Sequence, residues 1–146
     1  MDIEVAIAIL TQDTRVLMQL RDDVPNIIYP GCWGFFGGHL EAGETPLEAV
    51  QREVSEEISY NLSTATLFGL YNDTHDDGSH ITRHVFIVPL TVPLTELRLN
   101  EGWDMALLTQ TAVETGGSHS AIAQQWRPIP AIHQRILLDF FASVNK

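Results

Sequence analysis

Only one cysteine, Cys32, occurs in the 146 residues, so no internal disulfide can form. A reducing, cytoplasmic setting is the default expectation for such a chain. Basic residues are also scarce. Eight Lys and Arg stand against 19 Asp and Glu, for a formal net charge of -11. A chain this acidic repels phosphate backbones at long range, which argues against a nucleic-acid binder. It leaves room for a small phosphorylated ligand, because divalent cations bridge carboxylates and phosphates. No apolar run approaches the roughly 18 residues of a spanning helix, so no membrane association is expected. The opening Met1-Asp2-Ile3-Glu4 lacks the basic start of a secretory leader. Repeats, low-complexity tracts and an internal linker are missing as well. With 45% hydrophobic and 18% charged residues, the chain is expected to form a single globular domain over residues 1–146.

The residues that are present alternate between strand and helix signals. Ile3 to Leu10 is β-branched and apolar and reads as a buried strand. A turn at Thr11-Gln12-Asp13 leads to a second strand, Arg15 to Leu20. Pro25, Asn26, Pro30 and Gly31 mark Asp22 to Gly31 as loop. Trp33 to Phe36 reads as a short strand that Gly37-Gly38 ends. Thr45 to about Ile58 is the clearest helix, with Thr45 as N-cap, Pro46 at the first helical position and Glu48 completing a capping box. Leu47, Val50, Val54 and Ile58 form its inward stripe, and Asn61 is the residue expected to turn left-handed and end it. Thr64 to Tyr71 and His80 to Leu90 read as strands joined by the polar turn Asn72 to Ser79. Met105 to Leu108 is another strand, Thr115 to Gln125 reads as loop, and Pro130 to Val144 as a final helix. Mixed strands with two or three helices predict an α/β sandwich.

The chemistry is concentrated in Gly37 to Tyr60, GGHLEAGETPLEAVQREVSEEISY. Glu53, Glu56 and Glu57 are spaced i, i+3, i+4, so they share one flank of the helix beside its apolar stripe. Like charges at that spacing repel. Arg52 is expected on a different side, paired with Glu48, and so to offer no relief. A hard divalent ion would supply it, because Mg2+ takes carboxylate oxygens and keeps waters and phosphate oxygens as its other ligands. Gly37-Gly38 lets a backbone carbonyl or a phosphate come close. Gly43-Glu44 runs into a helix N-terminus, where anions are favoured. Each part alone reads as a solvated helix face, a surface ion pair or an ordinary turn. Their fixed register is the informative feature.

That register resembles the Nudix box. The family pattern is a glycine, five residues, a glutamate, seven residues, then Arg-Glu-apolar-x-Glu-Glu-x-Gly-apolar. Here Gly38 and Glu44 are separated by five residues, Arg52-Glu53-Val54-Ser55-Glu56-Glu57 follows after seven more, and Tyr60 takes the last apolar place. Ser59 replaces the final glycine, the one departure, and bears on the geometry of the helix end. Pro30-Gly31-x-Trp33-x-x-x-Gly37-Gly38 is similar to the strand that leads into the box in family members. The resemblance implies a Nudix-like α/β/α sandwich around a mixed β-sheet. It implies a diphosphohydrolase, a pyrophosphatase that cleaves the diphosphate linkage of a nucleoside triphosphate, nucleotide sugar or similar nucleotide derivative by attack of a metal-activated water. By position, Glu53, Glu56 and Glu57 with the Gly38 carbonyl hold Mg2+, with Mn2+ as a substitute. Glu44 and Arg52 support the box, so that Arg52 prefers Glu44 to Glu48.

The general base is left between Glu53 in the box and Glu101 in the loop Leu99-Asn100-Glu101-Gly102-Trp103, with His80, His84 and His119 as weaker candidates. Arg21 follows the second strand and is a candidate to bind substrate phosphate. Trp33, Phe35, Tyr71 and Trp103 could stack on a base but suit the core equally. Cys32 reads as a packing residue; its surroundings do not resemble those of the cysteine used by isopentenyl diphosphate isomerases of this fold. Two other readings stand beside the enzyme. One is a non-catalytic nucleotide-sensing module, suggested by Ser59, and the other is an acidic structural domain. A small-molecule partner is expected, and a homodimer is an option for this fold.

Overall fold

The computed structural model describes residues 1–145. In chain order it holds β1 (Asp2–Gln12), β2 (Arg15–Leu20), β3 (Trp33–Gly34), β4 (Phe36–His39), α1 (Pro46–Ile58), β5 (Thr66–Thr74), β6 (His80–Pro89), β7 (Asp104–Leu108), α2 (Gln110–Thr115), β8 (Gly117–Ser120), β9 (Gln125–Pro128) and α3 (Ala131–Val144), with a single 3-10 turn at Leu94–Glu96. It is a mixed α/β fold. Among the described residues no helix is long and apolar enough to cross a membrane. The chain divides into two compact units, Met1–Leu10 with Phe36–Asn100, and Thr11–Phe35 with the chain from Glu101 on.

In the first unit β4 runs antiparallel to β1, pairing Ala6 with Gly38 and Ile7 with Gly37. β6 lies beside β1. The two start together, since His80 N donates to Met1 O at 2.9 Å and His84 Nε2 meets Glu4 Oε1 at 2.9 Å, so they run in the same direction and the sheet is mixed. β5 pairs antiparallel with β6, with an irregularity between Leu67 and Gly69. The helix α1 packs on β4. Thr45 caps it as the sequence predicts: its side chain accepts from Glu48 N, and Glu48 Oε1 accepts from Thr45 N. Val50, Val54 and Ile58 are fully buried, whereas Leu47, expected on the same stripe, is 41% exposed and Ala49 is buried instead. The helix ends at Ser59, which takes φ 56 and ψ 39, rather than at Asn61.

The glycine pair does not end the strand, as the sequence suggests, but lies inside β4. Gly37 has φ 141, and a Cβ there would fall 2.2 Å from Ala6 O and 2.7 Å from Ile7 Cα. The neighbouring strand passes so close that only glycine fits, so the apparent strand breaker is what allows the pairing.

In the second unit β2 lies between β3 and β7 and is antiparallel to both. β8 and β9 form a separate hairpin. The sequence reads this region as loop because its Gly, Ser and Gln content gives no local strand signal. The pairing is decided by tertiary fit instead: a Cβ on Gly117 would fall 2.3 Å from the Trp126 ring. Trp33 is fully buried and its Nε1 donates to Ser118 O at 3.1 Å. α3 buries Ile136, Leu137, Phe140 and Phe141 and packs against α2.

Gly37→Ala is expected to cost about 3 kcal/mol or more of stability, because a backbone clash and a disfavoured φ act together. Gly43→Ala meets nothing within 4 Å at its φ of 79, and should cost only about 1 kcal/mol. Urea unfolding of the two variants checks this; equal losses would contradict the close-approach argument.

Candidate active site

In the first unit, α1 sets Glu53 and Glu57 against β4. Glu57 is buried, and its Oε1 accepts from Gly37 N at 2.8 Å. Glu53 lies against Gly38 so closely that a Cβ on Gly38 would fall 2.6 Å from its carboxyl carbon. Glu56 is exposed. Glu56 and Glu57 also stand in the last turn of α1, near the negative end of the helix dipole, which carries no basic residue. The helix end itself is satisfied from the following segment. Asn100 N donates to Glu57 O at 2.9 Å, Arg98 N to Ile58 O at 3.1 Å, and the Asn100 amide to Glu56 O and Ser59 Oγ.

Arg52 is where the structure departs most from the spacing argument. It does not pair with Glu48, whose carboxylate is taken by the capping box. Its Nε and Nη2 form a fork on Glu44, at 2.7 and 2.9 Å, while Nη2 also donates to His39 O at 3.1 Å. Its Nη1 reaches Glu53 Oε1 at 2.9 Å and Glu56 Oε2 at 3.4 Å, with Glu41 Oε1 3.6 Å away. The guanidinium therefore does relieve the acidic flank. Helical spacing fixes the direction of the Arg52 Cβ but not the reach of its long side chain. Donating to the Glu44 and Glu53 carboxylates raises the pKa of Arg52 still further, so its charge is permanent. The same contact with Arg52, helped by the Glu41 N–H, holds the Glu44 carboxyl down at about 2 instead of 4.5.

The donor set fits a hard divalent cation. It consists only of oxygens, and it stands beside a backbone that glycine keeps open. Among the described residues no three His, Cys, Asp or Glu side chains already form a metal-ligating group; Glu53 and Glu56 both approach Nη1 of Arg52. Glu56 is exposed, so its carboxylate can turn without disturbing the core.

Arg21 and Glu101, the two remaining predicted site residues, lie in the second unit. Together with Gln19, Asp22, Val24, Ile27 and Gly102 they line a cleft of about 90 Å³. Arg21 Nε is buried there with no hydrogen-bond partner. Glu101 is exposed and makes no ion pair among the described residues. Gln19 was missed by sequence reading. The available signal was a lone amide in the otherwise apolar strand segment Val16 to Leu20.

The other candidates are occupied elsewhere. His84 meets Glu4, His80 Nδ1 meets Thr74 Oγ1 at 3.0 Å, and exposed His119 sits on β8 opposite Trp126. Trp33 and Phe35 are buried. Cys32 is free, its Sγ 3.5 Å from Pro30 O, and burial pushes its thiol above the ordinary range, against a reactive role.

A glycine-bearing strand set against an acidic helix flank, on a mixed α/β fold, defines a class of domain. The NUDIX domain family model matches residues 2–129, and the chain belongs to that family, whose hydrolases generally need a divalent metal ion. An ADP-ribose pyrophosphatase of Methanocaldococcus jannaschii is 35% identical over 81 residues, covering 55% of this chain and 46% of that protein. An 8-oxo-dGTP diphosphatase of Proteus vulgaris is 44% identical over 59 residues, covering 40% of this chain and 51% of that one. The chain thus spans about half the length of these curated relatives. The crystal structure of a MutT protein from Methanosarcina mazei Go1 superposes with a TM-score of 0.77 at 19% identity, over 99% of this chain and 96% of that one.

The depressed Glu44 carboxyl has a consequence for stability. The folded chain binds fewer protons than the unfolded chain between pH 4.5 and about 2. The Arg52–Glu44 contribution is therefore complete above that window and is lost as pH falls through it. Urea midpoints should show Glu44→Gln less stable than wild type at neutral pH, with the gap closing as the pH approaches the lower value. A gap independent of pH would contradict the pairing.

Proposed function

We propose that the protein is a Mg2+-dependent diphosphohydrolase that cleaves the diphosphate linkage of a nucleoside triphosphate, nucleotide sugar or similar nucleoside diphosphate derivative. The observation that carries this reading is the acidic flank of α1 set against the glycine strand, with Glu57 bonded to Gly37 N and Glu53 packed on Gly38, within a family match that covers most of the chain. The names of the relatives, an ADP-ribose pyrophosphatase and an 8-oxo-dGTP diphosphatase, support this substrate class. Free Cys32 is in keeping with a cytoplasmic setting.

Glu53, Glu56, Glu57 and the Gly38 carbonyl would hold Mg2+, or Mn2+ in its place. When bound, the ion supplies charge neutralisation for the diphosphate and lowers the pKa of water. Arg52 and Glu44 hold the Glu41–Glu44 loop to α1 and keep the acidic flank in place. Arg21, which lines the cleft, would offer its guanidinium to a phosphate oxygen. Glu101 is favoured over Glu53 as general base, because Glu53 Oε1 is engaged by Arg52 whereas Glu101 is exposed at a cleft. Glu101 takes the proton as the water oxygen bonds to phosphorus. The bridging P–O bond then breaks, and its electron pair leaves with the other phosphate. A non-catalytic nucleotide-sensing module is the alternative reading, motivated by Ser59, which here ends α1 in a left-handed conformation.

The test is hydrolysis of dGTP, 8-oxo-dGTP, ADP-ribose and GDP-mannose with Mg2+ and with EDTA. Wild type should turn over at least one of them only with the metal. Glu57→Gln should lower kcat by about 100-fold or more. No turnover of the whole panel, or undiminished turnover by Glu57→Gln, would remove the proposal.

A further inference from the structure

Gln19 is 3% exposed in β2. The strand buries Val16, Leu17, Met18 and Leu20 around it, so an amide here needs a partner to offset its desolvation. Its Nε2 donates to the backbone carbonyl of Glu101 at 2.8 Å. The next residue, Gly102, has φ 106, and a Cβ there would fall 2.9 Å from both Cγ and Nε2 of Gln19. Glycine at 102 is thus what lets the Gln19 amide lie flat against the loop. One residue further on, Trp103 N donates to Leu20 O at 2.8 Å. The loop is therefore fastened to β2 on both sides of Gly102, and β2 is itself held between β3 and β7. Arg21, just beyond the end of β2, lines the same cleft as Gln19 and Glu101.

We infer that Gln19 is a positioning residue for Glu101: its buried amide fixes the Glu101 backbone at the cleft and so restricts the positions from which the carboxylate can take a proton. The inference rests on the reading of Glu101 as general base. A strand-anchored amide is a stiffer support than a loop contact, and small displacements of a reacting group are costly in rate.

The experiment is a double-mutant cycle on Gln19→Met, Glu101→Gln and the double variant. It uses whichever of dGTP, 8-oxo-dGTP, ADP-ribose and GDP-mannose wild type hydrolyses fastest. Methionine keeps the length and volume of glutamine without a donor. Gln19→Met should lower kcat by roughly 10- to 100-fold with KM changed about twofold or less. The acid limb of its kcat–pH profile should flatten, and the double variant should be no slower than Glu101→Gln alone. Gln19→Leu, which also removes the donor, should lose activity similarly and serves if the methionine variant folds poorly. Wild-type kcat in both Gln19 variants, or effects that multiply in the double variant, would overturn the inference while leaving the base in place. An active Glu101→Gln enzyme, or no hydrolysis of any panel compound, would remove the base reading and the inference with it.

Discussion

The guanidinium of Arg52 is the contact on which the acidic face of α1 depends. Three glutamates within five residues, two of them at the negative end of a helix, would repel one another. Arg52 answers with one nitrogen toward Glu53 and Glu56, and with a two-point fork on Glu44. The fork ties the loop before the helix to the middle of the helix. One permanent cation therefore fixes the loop and steadies the carboxylates together. A lysine could match the charge but not the geometry, because it offers no planar pair of donors for Glu44. The arrangement leaves the acidic flank with less positive charge than negative, which is the electrostatic condition for taking up a further cation.

Backbone proximity is the second constraint, and it acts through glycine. β1 and β4 approach so closely at Gly37 that no side chain fits, and the N–H of Gly37 donates to Glu57. Gly38 gives up its Cβ space to the Glu53 carboxylate. Strand and helix are thereby locked in register. The two most enclosed carboxylates are held by the strand, while Glu56 keeps its freedom at the surface. Burial of Val50, Val54 and Ile58 sets the rotation of α1 that makes this register available.

Local signals in the sequence were the ones that read correctly. The capping box of Thr45 and Glu48, the strand Arg15 to Leu20 and the buried face of α3 each follow from a few adjacent residues, and all appear in the structure. The glutamate register was legible for the same reason. What could not be read depends on distant chain. The reach of Arg52 requires the folded Glu41–Glu44 loop. The β8–β9 hairpin requires Trp126 over Gly117, against a composition that reads as loop. Gly37-Gly38 reads as a stop until the closeness of β1 is known. Gln19 reads as an irregularity in an apolar strand until the loop that it holds is seen.

The most direct test of the electrostatic account is a crystal structure of the protein soaked in Mn2+, read by anomalous scattering. The account predicts an ion among Glu53, Glu56, Glu57 and the Gly38 carbonyl, with Nη1 of Arg52 withdrawn from Glu53 and Glu56 while its fork on Glu44 persists. Manganese bound elsewhere, or an acidic flank still closed around Arg52 with no ion beside it, would contradict the account.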